Sequence, residues 1–259
     1  LHVRRTPGGP LESIVVEPRP LTDVEASRAS IRKIESGDLR IGYLRLWHVL
    51  SAPILALTVD AIRTTFADCD VWICDLRGRG GSPIVLGQLL RLLREPERPS
   101  REEQNDNPAD ENAEDGSVRW NGLFIGLIDE RARSAKEIFA HVVRRDDLGV
   151  LVGRPTAGAV IGSSFFELPD GSQLLVPLVP GERFTSDRAT LEGVGVEPHF
   201  PVEDELAYAN GRDALIERAI DVAHSLVESS VTLVAGSDRE GPLGSLERLA
   251  RLEHEQESP

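Results

Sequence analysis

The run from Val71 to Leu93 restricts the fold more than any other part of the sequence. It opens with VWICD, an apolar stretch typical of a strand buried on both faces, and continues into the glycine-rich turn LRGRGGSP. Apolar residues then recur at helical spacing from Ile84 onwards. A strand, a glycine-rich turn and a helix in succession form an α/β unit. The sequence therefore predicts a fold of the α/β class.

Apolar periodicity predicts the other elements. Strands are expected at 11–17, 39–47, 123–128 and 150–153, a β-hairpin at 164–180 with its turn at 169–171, and helices at 54–66, 134–144 and 213–227. We interpret 18–37 as a polar connector, and the leucines at 243, 246, 249 and 252 predict a terminal helix. A chain of 259 residues is long enough to bury a substantial core in this arrangement.

The net charge of −14 is concentrated in one segment. Residues 95–117 contain nine acidic residues and two arginines, so half of the acidic excess lies there. Low hydrophobicity and high charge predict a disordered surface loop, which we expect to be the first site of proteolysis. A nucleic-acid-binding protein would need a basic face for phosphates, so nucleic acid is not an expected partner.

The sequence carries no pattern for a membrane span or a cofactor. No apolar run approaches the ~20 residues that a transmembrane helix needs. Two cysteines and six scattered histidines form no metal-site pattern, and the glycine-rich turn lacks the Lys-Ser/Thr pair of a phosphate-binding loop. We therefore expect neither a metal nor an organic cofactor. The chain starts at Leu1 and has no methionine, so we interpret it as an excerpt or a processed form, in which a missing signal peptide says nothing about export.

Three segments carry residues suited to chemistry. The first is DLRGRGG at 75–81, where glycines after a strand can turn backbone N–H groups towards an anion. The second is RSAKEIF at 133–139, where Ser134 lies at a strand-to-helix corner and helix N–H dipoles could stabilise an oxyanion. Ser134 and Glu137 also fit the capping box S-x-x-E, so a purely structural role for Ser134 stays open. The third comprises GRPTAGA at 153–159 and GVGVEP at 193–198, which separately are only turns.

Together and in this order, these segments resemble the tail-specific (C-terminal processing) serine peptidases and their tricorn-like relatives. The resemblance runs from Ile41 to Val202 through GYLRL, DLRGRGG, SAKEIF, VGRPTAG, LPDGSQLLVP and GVGVEP. It implies a core at 37–228 with the crotonase/ClpP-like ββα superhelix, interrupted by the acidic loop at 95–117. Residues 1–36 would be the remnant of a PDZ-like domain and a linker, and 229–259 a helical tail.

The resemblance also assigns roles to residues. Ser134 corresponds to the nucleophile, and the backbone N–H groups of Ala135 and of Gly80 or Gly81 correspond to the oxyanion hole. Bacterial members use a lysine in a T-x-G-K segment as the base, and Ala159 stands at that position here. A methyl group cannot accept a proton, so the Ser-Lys dyad is absent.

An active site of this kind therefore needs another base. A tricorn-like arrangement uses a histidine supported by a glutamate, which indicates His48 and Glu192, with His199 as a second candidate. His48 could equally be a strand-end histidine without a catalytic role. Lys136 follows Ser134 by two residues, about 200° around the helix, so we expect it in solvent rather than at the site.

The resemblance implies a serine-type endopeptidase that cleaves peptides or unfolded polypeptides without the usual lysine base. Its partners would be peptide or unfolded-protein substrates, and it could form a homo-oligomer. The family resemblance favours an extracytoplasmic location, either periplasmic or secreted. Two other functions stay open. One is a catalytically inactive pseudopeptidase of the same fold that binds peptides. The other is an acyl-CoA enzyme of the crotonase superfamily, which shares the core fold but not the SAxE and T-x-G motifs.

Overall fold

A six-stranded mixed sheet forms the centre of the fold. The structure, a computed structural model, describes residues 1–94, 118–203 and 211–235. The strands in chain order are β1 (His2–Val3), β2 (Glu12–Ser13), β3 (Arg32–Ser36), β4 (Leu39–Arg45), β5 (Val71–Asp75), β6 (Leu123–Ile128), β7 (Val150–Gly153), β8 (Gly162–Glu167), β9 (Gln173–Val179) and β10 (Phe200–Pro201). The helices are α1 (Asp23–Ser30), α2 (Ala52–Arg63), α3 (Pro83–Arg91), α4 (Ala135–Arg145) and α5 (Ala214–Ala235).

The central sheet has the strand order β10-β7-β6-β5-β4-β3. Strand β3 runs antiparallel to β4, and all the other neighbouring pairs are parallel. Helices α2, α3 and α4 connect β4 to β5, β5 to β6 and β6 to β7, whereas the chain passes from β7 to β10 through β8 and β9. The predicted α/β class is confirmed.

The register of the sheet brings three strand ends together. Arg45 at the end of β4 lies opposite Asp75 at the end of β5, and Asp75 lies opposite Leu127 of β6. The segments that follow these strands therefore leave the sheet at one edge. In open α/β sheets this carboxyl edge is where ligands bind.

Helices cover both faces of the sheet. On one face, α2, α3 and α4 pack over a buried cluster that includes Leu44, Trp72, Cys74 and Phe124. On the other face, α5 packs over the alternate residues of the same strands, among them Ile73. Because successive strand residues point to opposite faces, strands buried on both sides need near-continuous apolar sequence, which VWICD and LFIGLI supply.

The predicted connector at 18–37 contains two regular elements instead. Helix α1 begins after Thr22, whose side chain and backbone form a complete capping box with Glu25. Strand β3 pairs along its whole length with β4 and is the outermost strand of the central sheet. An edge strand needs few buried side chains, so the sequence RKIES is mostly polar and lacks the apolar alternation that predicts a strand.

The other elements follow the sequence closely. Strands β5, β6 and β7 have the predicted bounds, whereas the strand predicted at 11–17 shrinks to β2, which pairs with β1. Strands β8 and β9 form the predicted hairpin as a separate two-stranded sheet. Helix α5 continues to Ala235, beyond the predicted 227. The acidic segment 95–117 and the leucines after 236 lie outside the described residues.

A buried ion network fixes the start of the glycine-rich turn. The Asp75 carboxylate accepts hydrogen bonds from the Tyr43 hydroxyl (2.7 Å) and from the Arg77 guanidinium (2.7 and 3.0 Å). Arg77 in turn donates two bonds to Asp213, just before α5. Burial opposes ionisation of Asp75, but the Arg77 charge outweighs it and holds the pKa of Asp75 below its usual range. The turn after β5 is thereby tied to helix α5 on the opposite face.

Candidate active site

Ser134 lies at the corner between β6 and α4 with a strained backbone. Its φ of 60° and ψ of −129° fall in a region that side chains with a Cβ atom rarely adopt. The N-cap residues of the other helices have ordinary extended backbones, for example Thr22 with φ −74° and Ser51 with φ −129°. Capping alone therefore does not require the conformation of Ser134. Strain of this kind persists at functional sites, and a sharp strand-to-helix turn is one way that hydrolases expose a serine nucleophile.

The carboxylate of Glu137 holds this corner in place. Its Oε2 accepts the backbone N–H of Ser134 (2.9 Å) and of Ala159 (2.8 Å). Its Oε1 accepts the Thr156 hydroxyl (2.7 Å) and the Gly158 N–H (2.6 Å). Glu137 is fully buried, so these bonds satisfy a charge that has no access to water. The capping-box spacing predicted the bond to Ser134, but no sequence pattern indicated that the same carboxylate binds the T-A-G-A segment at 156–159.

The glycine-rich loop packs directly against Ser134. A Cβ atom at Gly80 would lie 2.7 Å from the Arg133 carbonyl oxygen and 2.9 Å from the Ser134 Cβ, and one at Gly81 would lie 2.4 Å from the Val49 carbonyl oxygen. Only glycine permits so close an approach of two backbones. Within the described ranges, the Gly80 and Gly81 N–H groups donate no hydrogen bond to a protein acceptor. The loop thus brings unpaired amides beside the serine.

His48 lies on the segment that leaves β4 at the same edge of the sheet. The next residue, Val49, forms a parallel bridge with Gly81, and its N–H donates to the Gly80 carbonyl (3.4 Å). The imidazole is half-buried, and burial lowers its pKa below the ordinary value. The positive charges of Lys136, Arg79 and Arg133 lower this pKa further, whereas the negative charge of Asp23 raises it. His48 is therefore a neutral imidazole at neutral pH, able to accept a proton.

Lys136 is not in solvent, and this expectation from helix geometry was wrong. The side chain is fully buried, and its ammonium group donates to the carbonyl oxygens of Leu46 (2.5 Å), Trp47 (3.3 Å) and Arg77 (3.3 Å). Burial lowers its pKa to about 8. At this end of α4, the Lys136 side chain reaches the segments that follow β4 and β5 rather than water.

Glu192 binds the backbone that follows Ala159. Its Oε2 accepts the N–H groups of Val160 (2.7 Å) and Ile161 (3.0 Å). The Ala159 carbonyl just before them accepts the Ser134 N–H (2.9 Å). Among the described residues, no hydrogen bond joins Glu192 to His48. The structure thus places both residues beside segments that contact Ser134, without bringing their side chains together.

His199 belongs to the sheet rather than to the serine corner. Its Nδ1 accepts the N–H of Leu151 (2.9 Å), and its own N–H donates to the Leu151 carbonyl (2.8 Å). Burial lowers its pKa to about 4. These contacts with β7 explain the presence of His199 without a catalytic role.

A comparison with protein-family models identifies the family of the chain. A model of Peptidase family S41 matches residues 40–202. The chain belongs to this family. The match spans the three segments that meet around Ser134, and it coincides with the range of the resemblance seen in the sequence. In the S41 family fold seen here, Ala159 is exposed at the position expected for lysine, and its backbone contacts Ser134 directly.

Curated relatives of this S41 chain include plant and archaeal proteases. The carboxyl-terminal-processing peptidase 1, chloroplastic, of Arabidopsis thaliana is 24% identical over 225 residues, which cover 85% of this chain and 45% of the relative. A tricorn protease homolog of Saccharolobus solfataricus is 32% identical over 105 residues, 39% of this chain and 10% of the relative. The chain thus spans less than half the length of these relatives.

Solved structures show the same fold. The tricorn protease has a TM-score of 0.51 and 26% identity, with 70% of this chain and 17% of that chain covered. Mature CPAF complexed with lactacystin has a TM-score of 0.55 and 17% identity, with 76% and 54% covered.

His, Cys, Asp and Glu side chains in the described ranges form no group of three or more that could hold a metal ion. None of the helices there combines the length and the apolar character that crossing a bilayer requires.

Proposed function

We propose that this chain carries the catalytic core of a serine-type endopeptidase with Ser134 as its nucleophile. The observation that carries the proposal is the strained Ser134 backbone, which lies at the carboxyl edge of the sheet against the glycine loop. Membership of a peptidase family supports the reaction class. The proposed substrates are peptides and unfolded polypeptides.

In the proposed reaction, the Ser134 hydroxyl oxygen attacks the carbonyl carbon of the scissile bond while His48 takes the hydroxyl proton. The negative oxygen of the tetrahedral intermediate accepts hydrogen bonds from the N–H of Ala135 and of Gly80 or Gly81. His48 then gives its proton to the departing amine, which leaves an ester on Ser134. Water hydrolyses this ester by the same steps, with His48 again as base and then acid.

Glu192 has a supporting role in this proposal. Its carboxylate fixes the backbone at 160–161, directly after the Ala159 carbonyl that binds Ser134. It therefore supports the site through the position of this backbone rather than by a hydrogen bond to the imidazole. Replacement of Glu192 by glutamine would then cost less activity than replacement of His48.

The proposal includes the domain organisation, the oligomeric state and the location of the protein. The core at 37–228 would have the crotonase/ClpP-like superhelix, residues 1–36 would include a PDZ-like remnant, and 229–259 would be a helical tail. A homo-oligomer and an extracytoplasmic location are proposed on the family resemblance alone.

Hydrolysis of an unfolded substrate tests the function. Denatured, fluorophore-labelled casein is incubated with the 259-residue chain and with two variants. Ser134→Ala is expected to lower the rate by about 10³-fold or more, because no other group replaces the nucleophile. Ser164→Ala, an exposed serine of β8, is the control and is expected to keep the rate. Equal rates in all three proteins would reject Ser134.

Two observations keep the pseudopeptidase as a second candidate. The lysine position holds Ala159, and the candidate base and glutamate share no hydrogen bond among the described residues. A protein that binds the denatured casein but releases no product, with Ser134→Ala binding equally well, would favour this candidate.

A further inference from the structure

Lys136 stands out among the basic residues of this chain. The sequence has 29 basic residues, of which only Lys33 and Lys136 are lysines. Lys33 is a surface residue paired with Asp68, whereas Lys136 is fully buried. Its hydrogen-bond partners are backbone carbonyls, although Asp75 and Asp129 act on it at longer range. An ammonium group has three N–H donors, and three carbonyl oxygens accept from this one.

These three carbonyls belong to the segments that carry the proposed machinery. Leu46 and Trp47 directly precede His48, and Arg77 lies in the glycine-rich turn, three residues before Gly80. Lys136 itself is in the first turn of α4, two residues after Ser134. One cation therefore links the backbones that present the base, the oxyanion-binding amides and the nucleophile.

We propose that Lys136 is a positioning residue, whose ammonium group fixes the geometry between His48, the glycine loop and Ser134. The catalytic part of this inference rests on the proposed peptidase function. Lys136 is not a base in it, because its N–H groups are all directed to carbonyl oxygens. A lysine suits this place better than an arginine, because a compact ammonium can address three convergent acceptors while a guanidinium presents its donors in one plane.

The charge of Lys136 has a second effect on the site. The charged groups that act on His48 are Lys136, Arg79 and Arg133, which disfavour the imidazolium, and Asp23, which favours it. Arg79 and Arg133 are exposed, so water screens their charges, whereas Lys136 is shielded. Lys136 thus helps to keep His48 neutral and ready to accept a proton. Position and charge can be separated by two different substitutions.

The test compares Lys136→Met and Lys136→Arg with the native 259-residue chain. The pKa of His48 is measured by NMR on protein with ¹⁵N-labelled histidine, with the resonance assigned through His48→Gln. In Lys136→Met we expect this pKa to rise towards the ordinary histidine value, because the buried charge is gone. In Lys136→Arg we expect it to stay low. In both variants we expect kcat to fall by about 100-fold with KM within a few-fold, since a misplacement of about 1 Å has such an effect.

Controls separate this result from unfolding. The resonances of His199, bound to β7, and of His224, bound to Ser36, report the native fold away from the site and are expected to keep their shifts. Lys33→Met removes the other lysine and is expected to leave the His48 pKa and kcat unchanged. Variants with native His199 and His224 resonances, an unchanged His48 pKa and an unchanged kcat would overturn the proposal.

The two proposals fail differently. A native chain without hydrolytic activity would reject the peptidase function, and the His48 titration would then still decide whether Lys136 acts on His48. A native chain that is active, with a kcat that Lys136→Met and Lys136→Arg leave unchanged, would reject Lys136 as a positioning residue and keep the peptidase.

Discussion

At the scale of single residues, the site depends on one buried carboxylate and one half-buried imidazole. Glu137 accepts four hydrogen bonds from two segments that are far apart in sequence, and through them it holds the strained Ser134 corner. His48 is held beside the glycine loop by the Val49–Gly81 bridge. Two predictions follow from these contacts.

Glu137→Gln is expected to destabilise the fold by about 3 kcal/mol or more. The amide nitrogen of glutamine would replace one of the two carboxylate oxygens and face its donors, so two of the four buried donors would lose this acceptor, at ~1–3 kcal/mol each. The measurement is the free energy of unfolding in urea. Glu130→Gln is the matched control: it removes an exposed charge paired with Arg154, which is expected to cost less than ~1 kcal/mol. Similar losses in both variants would contradict the assigned role of Glu137.

His48→Gln is expected to remove most of kcat/KM. A general base must be deprotonated to act, so the native activity should fall as the pH drops through the His48 pKa. Because burial and the neighbouring cations lower that pKa, the activity loss should lie at more acidic pH than for an ordinary histidine. The measurement is kcat/KM against pH in both proteins. An intact acidic limb in His48→Gln would show that another group is the base.

At the scale of elements, the site forms where the segments after β4, β5 and β6 leave one edge of the sheet. The register of the strands places these ends side by side, so the segment after His48 pairs with the glycine loop, and the glycine loop packs against Ser134. The glycine loop can approach Ser134 only because Gly80 has no side chain. This contact can be tested separately from the fold.

Gly80→Ala is expected to lower kcat by about 10²-fold or more, because the new methyl group would push the loop and its amides away from Ser134. Gly87→Ala in helix α3 is the control, since its Cβ would meet no atom within 4 Å. That control is expected to stabilise the fold by about 0.5–1 kcal/mol without loss of activity. The measurements are kcat with the casein substrate and urea unfolding. Full activity in Gly80→Ala would show that the loop does not supply the oxyanion contact.

The sequence predicted the elements that are buried and missed those that are polar. VWICD and LFIGLI have unambiguous apolar runs, so the bounds of β5 and β6 were correct. Strand β3 was not predicted, because it lies at the edge of the sheet, where few side chains are buried, and its sequence RKIES is therefore mostly polar. Ser134 could be selected from its motif, but the burial of Lys136 could not. It depends on which strand ends lie opposite the first turn of α4, and that is a property of the sheet.

At the scale of the whole molecule, the buried charges make stability depend on pH. The native state disfavours the proton on Lys136, whose pKa falls to about 8. Between that pH and ~10.5, the unfolded chain binds more protons at this residue than the native one. This contribution therefore makes the native state more stable as the pH rises from 8 to 10.5. Burial raises the pKa values of Tyr43 and Cys74, which act in the opposite direction.

A comparison with Lys136→Met isolates this contribution, because Tyr43 and Cys74 titrate in both proteins. The stability of the native chain relative to the variant is expected to increase with pH above 8, by at most ~1.4 kcal/mol per pH unit. Urea unfolding at pH 7.5, 9 and 10 measures the difference. Lys33→Met, at the surface, is expected to show no such increase. If the difference in free energy of unfolding between the native chain and Lys136→Met did not change with pH, Lys136 would have an ordinary pKa and its ammonium group would not be buried.

Covalent labelling by an alkyl fluorophosphonate tests the nucleophile most directly, because the reagent forms a stable bond only with an activated serine. After reaction with the native chain, peptide mass spectrometry is expected to find the adduct on Ser134 and not on Ser163 or Ser164. Ser134→Ala should remain unlabelled, and His48→Gln should react much more slowly. An unlabelled native chain, under conditions that label an active relative, would contradict the peptidase and favour the peptide-binding pseudopeptidase.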